Sequence, residues 1–381
     1  MPVIDFIFFD AGGGHRSAAT ALKAVIEQQN RQWEVRLVNL QEALDALDIF
    51  RKITGLRLED VYNLMLAKGW TLGSAQGLIF MHGIIKLYHP AQVKTLVKHW
   101  TETKPDMVVS LVPNFNRSMF EALRRVNPAI PFVTVITDMA DWPPHFWMEK
   151  QPHQYIVCGT PKAVEQARAI GFPEAHIFPT SGMILRPKFY EAITADRAEG
   201  RRKLGLDPSL PTGIVLFGGQ GSNVMVEIAE RLGRSGLKLQ LIAICGRNVK
   251  LAERLRALKV DIPMHVEGFT SEIPSFMHLS DFLIGKPGPG SISEAMAMKL
   301  PVIVERNAYT LPQERYNAEW VEERKVGIVL KNFRLIAEAV GKLIEPIALR
   351  QYQANAAAIQ NRAVYEIPEI LAGILKRHNI Q

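Results

Sequence analysis

The sequence predicts an α/β fold made of two Rossmann-like domains that face each other across an inter-domain cleft. Apolar strand-like runs alternate with helical stretches, and glycine-rich turns stand at strand ends. The same grammar restarts after Ser181-Gly182-Met183-Ile184-Leu185-Arg186-Pro187, a stretch that reads as a linker. The 381 residues are enough for two domains with substantial cores. The expected division is 1–185, 186–345, and helices in 346–381 that pack back across both domains.

The first element is the apolar run Val3 to Phe9. Asp10-Ala11-Gly12-Gly13-Gly14-His15-Arg16-Ser17 and a helical stretch from Ala18 to Gln29 follow it. Strand, glycine turn and helix open a Rossmann-like unit. The glycines are contiguous and do not follow the G-x-G-x-x-G spacing, which disfavours a dinucleotide. Gly13 and Gly14 let a ligand approach the backbone closely. They hold His15 at the helix start, near the carboxyl edge of the sheet where α/β proteins bind ligands. An imidazole there can act as a general base near neutral pH. The bland alternative is a histidine that caps a turn.

Trp33 to Leu40 reads as the second strand, and 41–100 as mostly helical. Val93, Leu96, Val97 and Trp100 recur at helical spacing, with Lys94 and Lys98 on an adjoining face. Residues 82–104 hold four Lys and one Glu, and the uncharged stretch Thr71 to Ile85 precedes the stripe. Two readings stand: an interfacial segment approaching anionic headgroups, or a core-facing helix with solvated lysines. Asp106 to Leu111 and Phe132 to Asp138 are further strands, the second ending in a carboxylate. Asp138, Asp141, Trp142, His145, Phe146 and Trp147 then suit a rim for a carbohydrate or other polar ligand, unless Asp138 merely caps its turn. Tyr155 to Cys158 is another strand.

In the second half, Gly213 to Phe217 is a strand, and Gly218-Gly219-Gln220-Gly221-Ser222-Asn223 is a glycine turn leading into a helix. Gly219 and Ser222 are its candidate ligand contacts. Leu239 to Cys245 is a strand ending in Gly246-Arg247, and His265 to Phe269 is a short strand and turn. Phe282-Leu283-Ile284 leads into Gly285-Lys286-Pro287-Gly288-Pro289-Gly290-Ser291, with Glu294 three residues on. Ser-x-x-Glu before a run of good helix formers is a capping-box signature, so a helix should start at Ser291. Its free N–H groups and positive dipole end would suit a diphosphate, with Glu294 reaching sugar hydroxyls, unless this is an ordinary corner in which Glu294 caps its own helix. After the strand Pro301 to Glu305, Gln313, Glu314 and Asn317 resemble a sugar-reading loop.

Composition narrows the function. The net charge is +7, with a net +1 over 1–185 and +6 over 186–381. A basic balance attracts phosphates and anionic surfaces. No basic run interleaved with aromatics supports nucleic acid. No stretch approaches a membrane span, and the start lacks a signal-peptide n-region, so a cytoplasmic, membrane-peripheral location is expected. The two cysteines, Cys158 and Cys245, read as buried small hydrophobes in a reducing compartment, with neither a disulfide framework nor zinc spacing.

Taken in order, these motifs resemble the monogalactosyldiacylglycerol synthases and their bacterial diacylglycerol glucosyltransferase relatives. More distantly, the chain is similar to the UDP-GlcNAc transferase that makes lipid II. The residues that carry the resemblance are Asp10 to Arg16, Val135 to Asp138, Arg186-Pro187, Ile244 to Asn248, Gly268-Phe269, Gly288 to Ser291 with Glu294, and Pro312-Gln313-Glu314 with Asn317. The resemblance implies the GT-B architecture and an inverting, metal-independent transfer from a UDP-sugar to a lipid hydroxyl, with no cofactor. It implies Arg247 and Phe269 near the uracil, and Gly288, Pro289, Gly290 and Ser291 at the diphosphate. Glu294 would bind the ribose, and Gln313 and Glu314 the donor sugar. His15 would be the base, or at least the group that orients the acceptor and donor, and Asp138 is the second catalytic candidate. The departures fall in the acceptor half. Val112 stands where plant-type enzymes carry a histidine before the proline matching Pro113, and Trp142-Pro143-Pro144-His145 stands where they carry another. The other readings are a UDP-GlcNAc 2-epimerase-like enzyme and a non-catalytic nucleotide-sugar binder.

Overall fold

The computed structural model describes residues 1–10, 13–44, 74–149, 151 and 153–380, the side chains of 74–82 and 84 excepted. Ala11 and Gly12 of the first glycine turn, and Thr71 to Gly73 of the uncharged stretch, therefore lie outside the described residues. The chain forms two compact units. Among the described residues, one comprises those before Lys188 together with those from Asn361 onward, and the other comprises Lys188–Gln360.

The first unit is a six-stranded parallel sheet in the order β2-β1-β3-β4-β5-β6. Its strands are β1 (Val3–Phe8), β2 (Glu34–Asn39), β3 (Met107–Ser110), β4 (Phe132–Val135), β5 (Tyr155–Cys158) and β6 (Ile177–Pro179). Continuous apolar runs suit strands covered on both faces, and β3, β4 and β5 are buried at every position. β4 ends at Val135, so Thr137 and Asp138 fall in the loop beyond the strand the sequence predicts. The first helix spans Gly14–Gln28, starting before Ala18 because Gly13 takes the left-handed conformation (φ 78°) that turns the chain into it.

The 93–100 stripe lies in the long helix Ser74–Thr103. Val93, Leu96 and Trp100 are fully buried against Met119, Leu123 and Phe132, so the stripe is core. Lys94 and Lys98 are exposed, as a solvated lysine face requires. His89 fastens the same helix to its neighbour Asn116–Val126, with Nδ1 2.9 Å from Ser118 Oγ and Nε2 2.8 Å from Glu121 Oε2. Among the described residues no helix is long and apolar enough to cross a membrane.

The second unit is another six-stranded parallel sheet, ordered β12-β11-β10-β7-β8-β9. The strands are β7 (Thr212–Leu216), β8 (Gln240–Ile244), β9 (Met264–Glu267), β10 (Phe282–Gly285), β11 (Val302–Glu305) and β12 (Gly327–Leu330). Helices including Val224–Gly233, Val249–Arg256 and Ile336–Leu343 bury their apolar faces against this sheet.

Residues 346–381 are divided between the units. Helix Pro346–Ala357 belongs to the second, and helix Ala363–Arg377 packs on the first helix of the first unit. The 181–187 stretch is fastened to the returning chain. Arg362 N donates to Ser181 Oγ at 2.7 Å, and Asn361 Nδ2 donates to the Met183 carbonyl at 2.8 Å.

Candidate active site

In the first unit, His15 lies in the first turn of helix Gly14–Gln28, just beyond the end of β1. Its Nδ1 is 3.2 Å from Thr137 Oγ1, and its ring centroid is 5.9 Å from that of Trp147. The Trp147 indole Nε1 donates to Asp138 Oδ2 at 2.8 Å. His15, Thr137, Trp147 and Asp138 therefore form one cluster at the carboxyl ends of β1 and β4. Loss of hydration pushes the His15 imidazole down from 6.5 to about 4, and a hydrogen bond to the Leu111 backbone offsets part of the shift. The ring is half-buried, so it is neutral at pH 7 and still reachable. Gly13 and Gly14 are exposed, and among the described residues a Cβ at either would meet nothing within 4 Å. Open backbone beside a neutral imidazole is an arrangement that can accept a proton from a bound hydroxyl.

The expected aromatic rim is only partly a rim. Trp142 and His145 are exposed, but Phe146 and Trp147 are core residues. Asp141 is an organiser, accepting from His145 N at 3.0 Å and Trp147 N at 2.6 Å, and burial raises its carboxyl above the usual range. Sequence reasoning did not single out Thr137 or Trp147 as groups that hold His15 and Asp138. Their only sequence signal is adjacency to Asp138 and to the aromatic run.

In the second unit, the glycine loops after β7 and β8 touch. Arg247 N donates to the Gly219 carbonyl at 2.9 Å, and Gly246 has φ +58° with no room for a Cβ, which would lie 2.2 Å from that oxygen. The Arg247 guanidinium sits 4.9 Å over the Phe269 ring, which is 65% exposed and so offers a stacking face. Ser222 is not drawn to this contact; its Oγ accepts from Val224 N at 3.4 Å.

The helix after β10 spans Pro289–Ala297, with Gly288 as N-cap and no side-chain capping bond. This corrects the capping box expected at Ser291 and Glu294. Proline at the first helical position has a preset φ and no N–H to satisfy, so the helix begins two residues earlier. Ser291 and Glu294 lie inside it, both half-buried, while Gly290 is exposed with nothing within 4 Å of a would-be Cβ. Glu314 is buried in the 3-10 turn Pro312–Glu314, and Lys286 Nζ donates to its Oε1 at 2.7 Å. Gln313 is half-buried in the same turn. Asn317 is fully buried, its Nδ2 donating to the Pro287 carbonyl at 2.8 Å, so it holds the turn instead of lining it. Lys286 is the residue the motif reading passed over, although it stands inside the glycine-proline stretch. Burial raises the Cys158 and Cys245 thiols to about 12 and about 11, which leaves both protonated.

Comparison with known proteins follows this geometry. Residues 213–370, which contain the second-unit strands and loops just described apart from Thr212 of β7, match the glycosyltransferase family 28 C-terminal domain. The chain is 29% identical to the chloroplastic monogalactosyldiacylglycerol synthase of Spinacia oleracea, over 89% of this chain and 65% of that protein. It is 28% identical to a probable monogalactosyldiacylglycerol synthase of Glycine max, over 97% of this chain and 71% of that protein. Among solved structures, Acinetobacter baumannii MurG superposes with a TM-score of 0.64 at 12% identity, covering 98% of this chain and 100% of that one. A UDP co-structure of Staphylococcus aureus MnaA superposes with 0.64 at 15%, covering 100% and 98%. The UDP-GlcNAc 2-epimerase of Neisseria meningitidis bound to UDP-GlcNAc gives 0.60 at 13%, covering 99% and 100%. At these identities the structural likeness establishes the fold, two α/β domains of GT-B type. Residues 213–370 match the family 28 C-terminal domain, and with the synthase relatives this makes the chain an enzyme of the glycosyltransferase class.

Proposed function

We propose that the enzyme transfers a hexose from a UDP-sugar to a hydroxyl of a diacylglycerol-like lipid. Transfer inverts the anomeric carbon and needs no metal ion, and the protein works at the cytoplasmic face of a membrane without crossing it. The observation that carries the reading is the family 28 match over 213–370, laid on strand ends lined by Gly219, Gly246, Gly288 and Gly290. UDP as the nucleotide is supported by the fold shared with the MnaA co-structure, and a lipid acceptor by the monogalactosyldiacylglycerol synthase relatives.

In this reading Arg247 and Phe269 border the uracil. Gly290 and Ser291 hold the diphosphate at the start of helix Pro289–Ala297, and Glu294 accepts from the ribose. Gln313 and Glu314 read donor hydroxyls, with Glu314 fixed by Lys286. His15 accepts the proton of the acceptor hydroxyl as its oxygen attacks the anomeric carbon. The bond from that carbon to the diphosphate oxygen breaks, and UDP leaves with the electron pair. Charge on the leaving group is met by the helix-start N–H groups and Ser291. Asp138 acts through Trp147, keeping the ring beside His15 in place.

The epimerase-like reading rests on a shared fold, since that enzyme superposes nearly as well as MurG. Product analysis separates the two. With UDP-Gal, UDP-Glc or UDP-GlcNAc and diacylglycerol vesicles, the proposal expects a glycolipid by mass spectrometry, undiminished by EDTA. An epimerised donor formed without acceptor, or no glycolipid from any donor, would overturn it.

A further inference from the structure

An open pocket of the second unit, about 590 Å³, is not among the loops assigned to the donor. It lies at the carboxyl ends of β11 and β12, beside helix Arg315–Glu323, and Arg306, Arg315 and Lys331 line it with a single carboxylate, Glu322. The two strand-end segments that form its walls are pinned together. Arg306 N donates to the Leu330 carbonyl at 2.8 Å, and Asn307 Nδ2 donates to the Lys331 carbonyl at 3.0 Å. Arg306 is held by Glu319. Arg315 and Lys331 make no ion pair among the described residues, and the buried Arg315 Nε has no hydrogen-bond acceptor.

We propose that this pocket is an anion site for a phosphate group carried on a larger molecule. Arg315 lines the pocket with a guanidinium that makes no ion pair among the described residues, and such a group binds a charged acceptor more strongly than a neutral one. The planar fork of Arg315 fits two oxygens of a phosphate, and Lys331 adds a point charge in the same lining. The volume exceeds that of a phosphate ion, and Leu330 and Ala308 give the remainder an apolar lining. A phosphomonoester therefore fits better than inorganic phosphate. Its source is either a soluble metabolite or a lipid headgroup.

The test uses the full chain with saturating UDP, which occupies the other phosphate-binding loops. Glycerol 3-phosphate is titrated by calorimetry, and flotation compares phosphatidylcholine vesicles with and without phosphatidate. The expected result is saturable binding of one probe or both, weakened about tenfold or more in Arg315→Gln/Lys331→Gln, since each charge-assisted contact is worth about that factor. UDP affinity and melting temperature should stay unchanged. Arg315→Lys should lose part of the affinity, because it keeps the charge and loses the fork. Binding of the soluble ester assigns a metabolite source, and phosphatidate-dependent flotation alone assigns a headgroup. Absence of binding to either probe, or equal binding by wild type and the double variant, overturns the proposal.

Discussion

Lys286 Nζ and Glu314 Oε1 meet at 2.7 Å, joining two loops that lie 28 residues apart in the chain. The turn after β10 and the 3-10 turn after β11 are thereby locked together, and the Asn317 bond to the Pro287 carbonyl adds a second tie. Gly288 keeps the space open: a Cβ there would lie 3.4 Å from Lys286 Cε and 3.6 Å from Glu314 Oε1. Lys286→Met would leave the buried Glu314 carboxylate without its cation. The Lys286 side chain is 35% exposed, so the expected loss is on the order of 1–3 kcal/mol, below that of a fully buried pair. Denaturant unfolding measures it, and an unchanged midpoint would mean the pair holds nothing.

His15 carries a pH signature. Its folded pKa, about 4, lies below the ordinary 6.5, so between those values the unfolded chain holds a proton that the folded chain does not. Stability from this group is therefore present above pH 6.5 and is lost as pH falls towards 4, on the order of 2 kcal/mol after allowance for partial exposure. His15→Gln should flatten that slope in pH-dependent unfolding. It should also lower transfer by roughly 10²–10⁴-fold, the usual contribution of a positioned base.

Trp147 gives a sharper test of the cluster. Trp147→Phe keeps an aromatic ring in the core but removes the indole donor to Asp138. Stability should fall by about 1–3 kcal/mol, the sum of one hydrogen bond and a modest void. Turnover should fall with little change in UDP affinity, because the nucleotide loops belong to the other unit. Equal losses in UDP affinity and turnover would contradict the role given to this ring.

Two glycines should separate folding from binding. Gly246→Ala places a Cβ 2.2 Å from the Gly219 carbonyl at a positive φ, so the loop contact must break, at a cost of about 2 kcal/mol or more. Gly290→Ala meets no atom within 4 Å, so the fold should be unharmed. Its methyl group would nonetheless crowd a diphosphate at the helix start. Calorimetry should find weaker UDP binding with an unchanged melting temperature for Gly290→Ala, and both properties lowered for Gly246→Ala.

Much of this architecture was legible because parallel strands covered on both faces leave uninterrupted apolar runs. Tyr155–Cys158 was read at its true bounds for that reason. The edge strands β6 and β12 escaped: Ile177–Pro179 is three residues long and ends in proline, and Gly327–Leu330 opens with glycine, both signals against a strand. The glycine motifs marked where His15, Gly219 and Gly290 would lie. They could not reveal long-range partners such as Lys286 for Glu314, or Trp147 for Asp138, because those pairings exist only after folding. The stripe Val93, Leu96, Trp100 was ambiguous for a related reason: periodicity shows that a face is apolar but not what covers it.

The tie of Asn361 and Arg362 to Met183 and Ser181 gives the gene a nested layout. Among the described residues the chain leaves the first unit after Pro187 and re-enters it at Asn361, so the second unit is spliced into its host like an insert with adjoining ends. A C-terminal deletion reaching Asn361 would therefore injure the amino-terminal half of the enzyme, whereas a segment cut at 188 and 360 is the natural boundary for expressing the other half by itself.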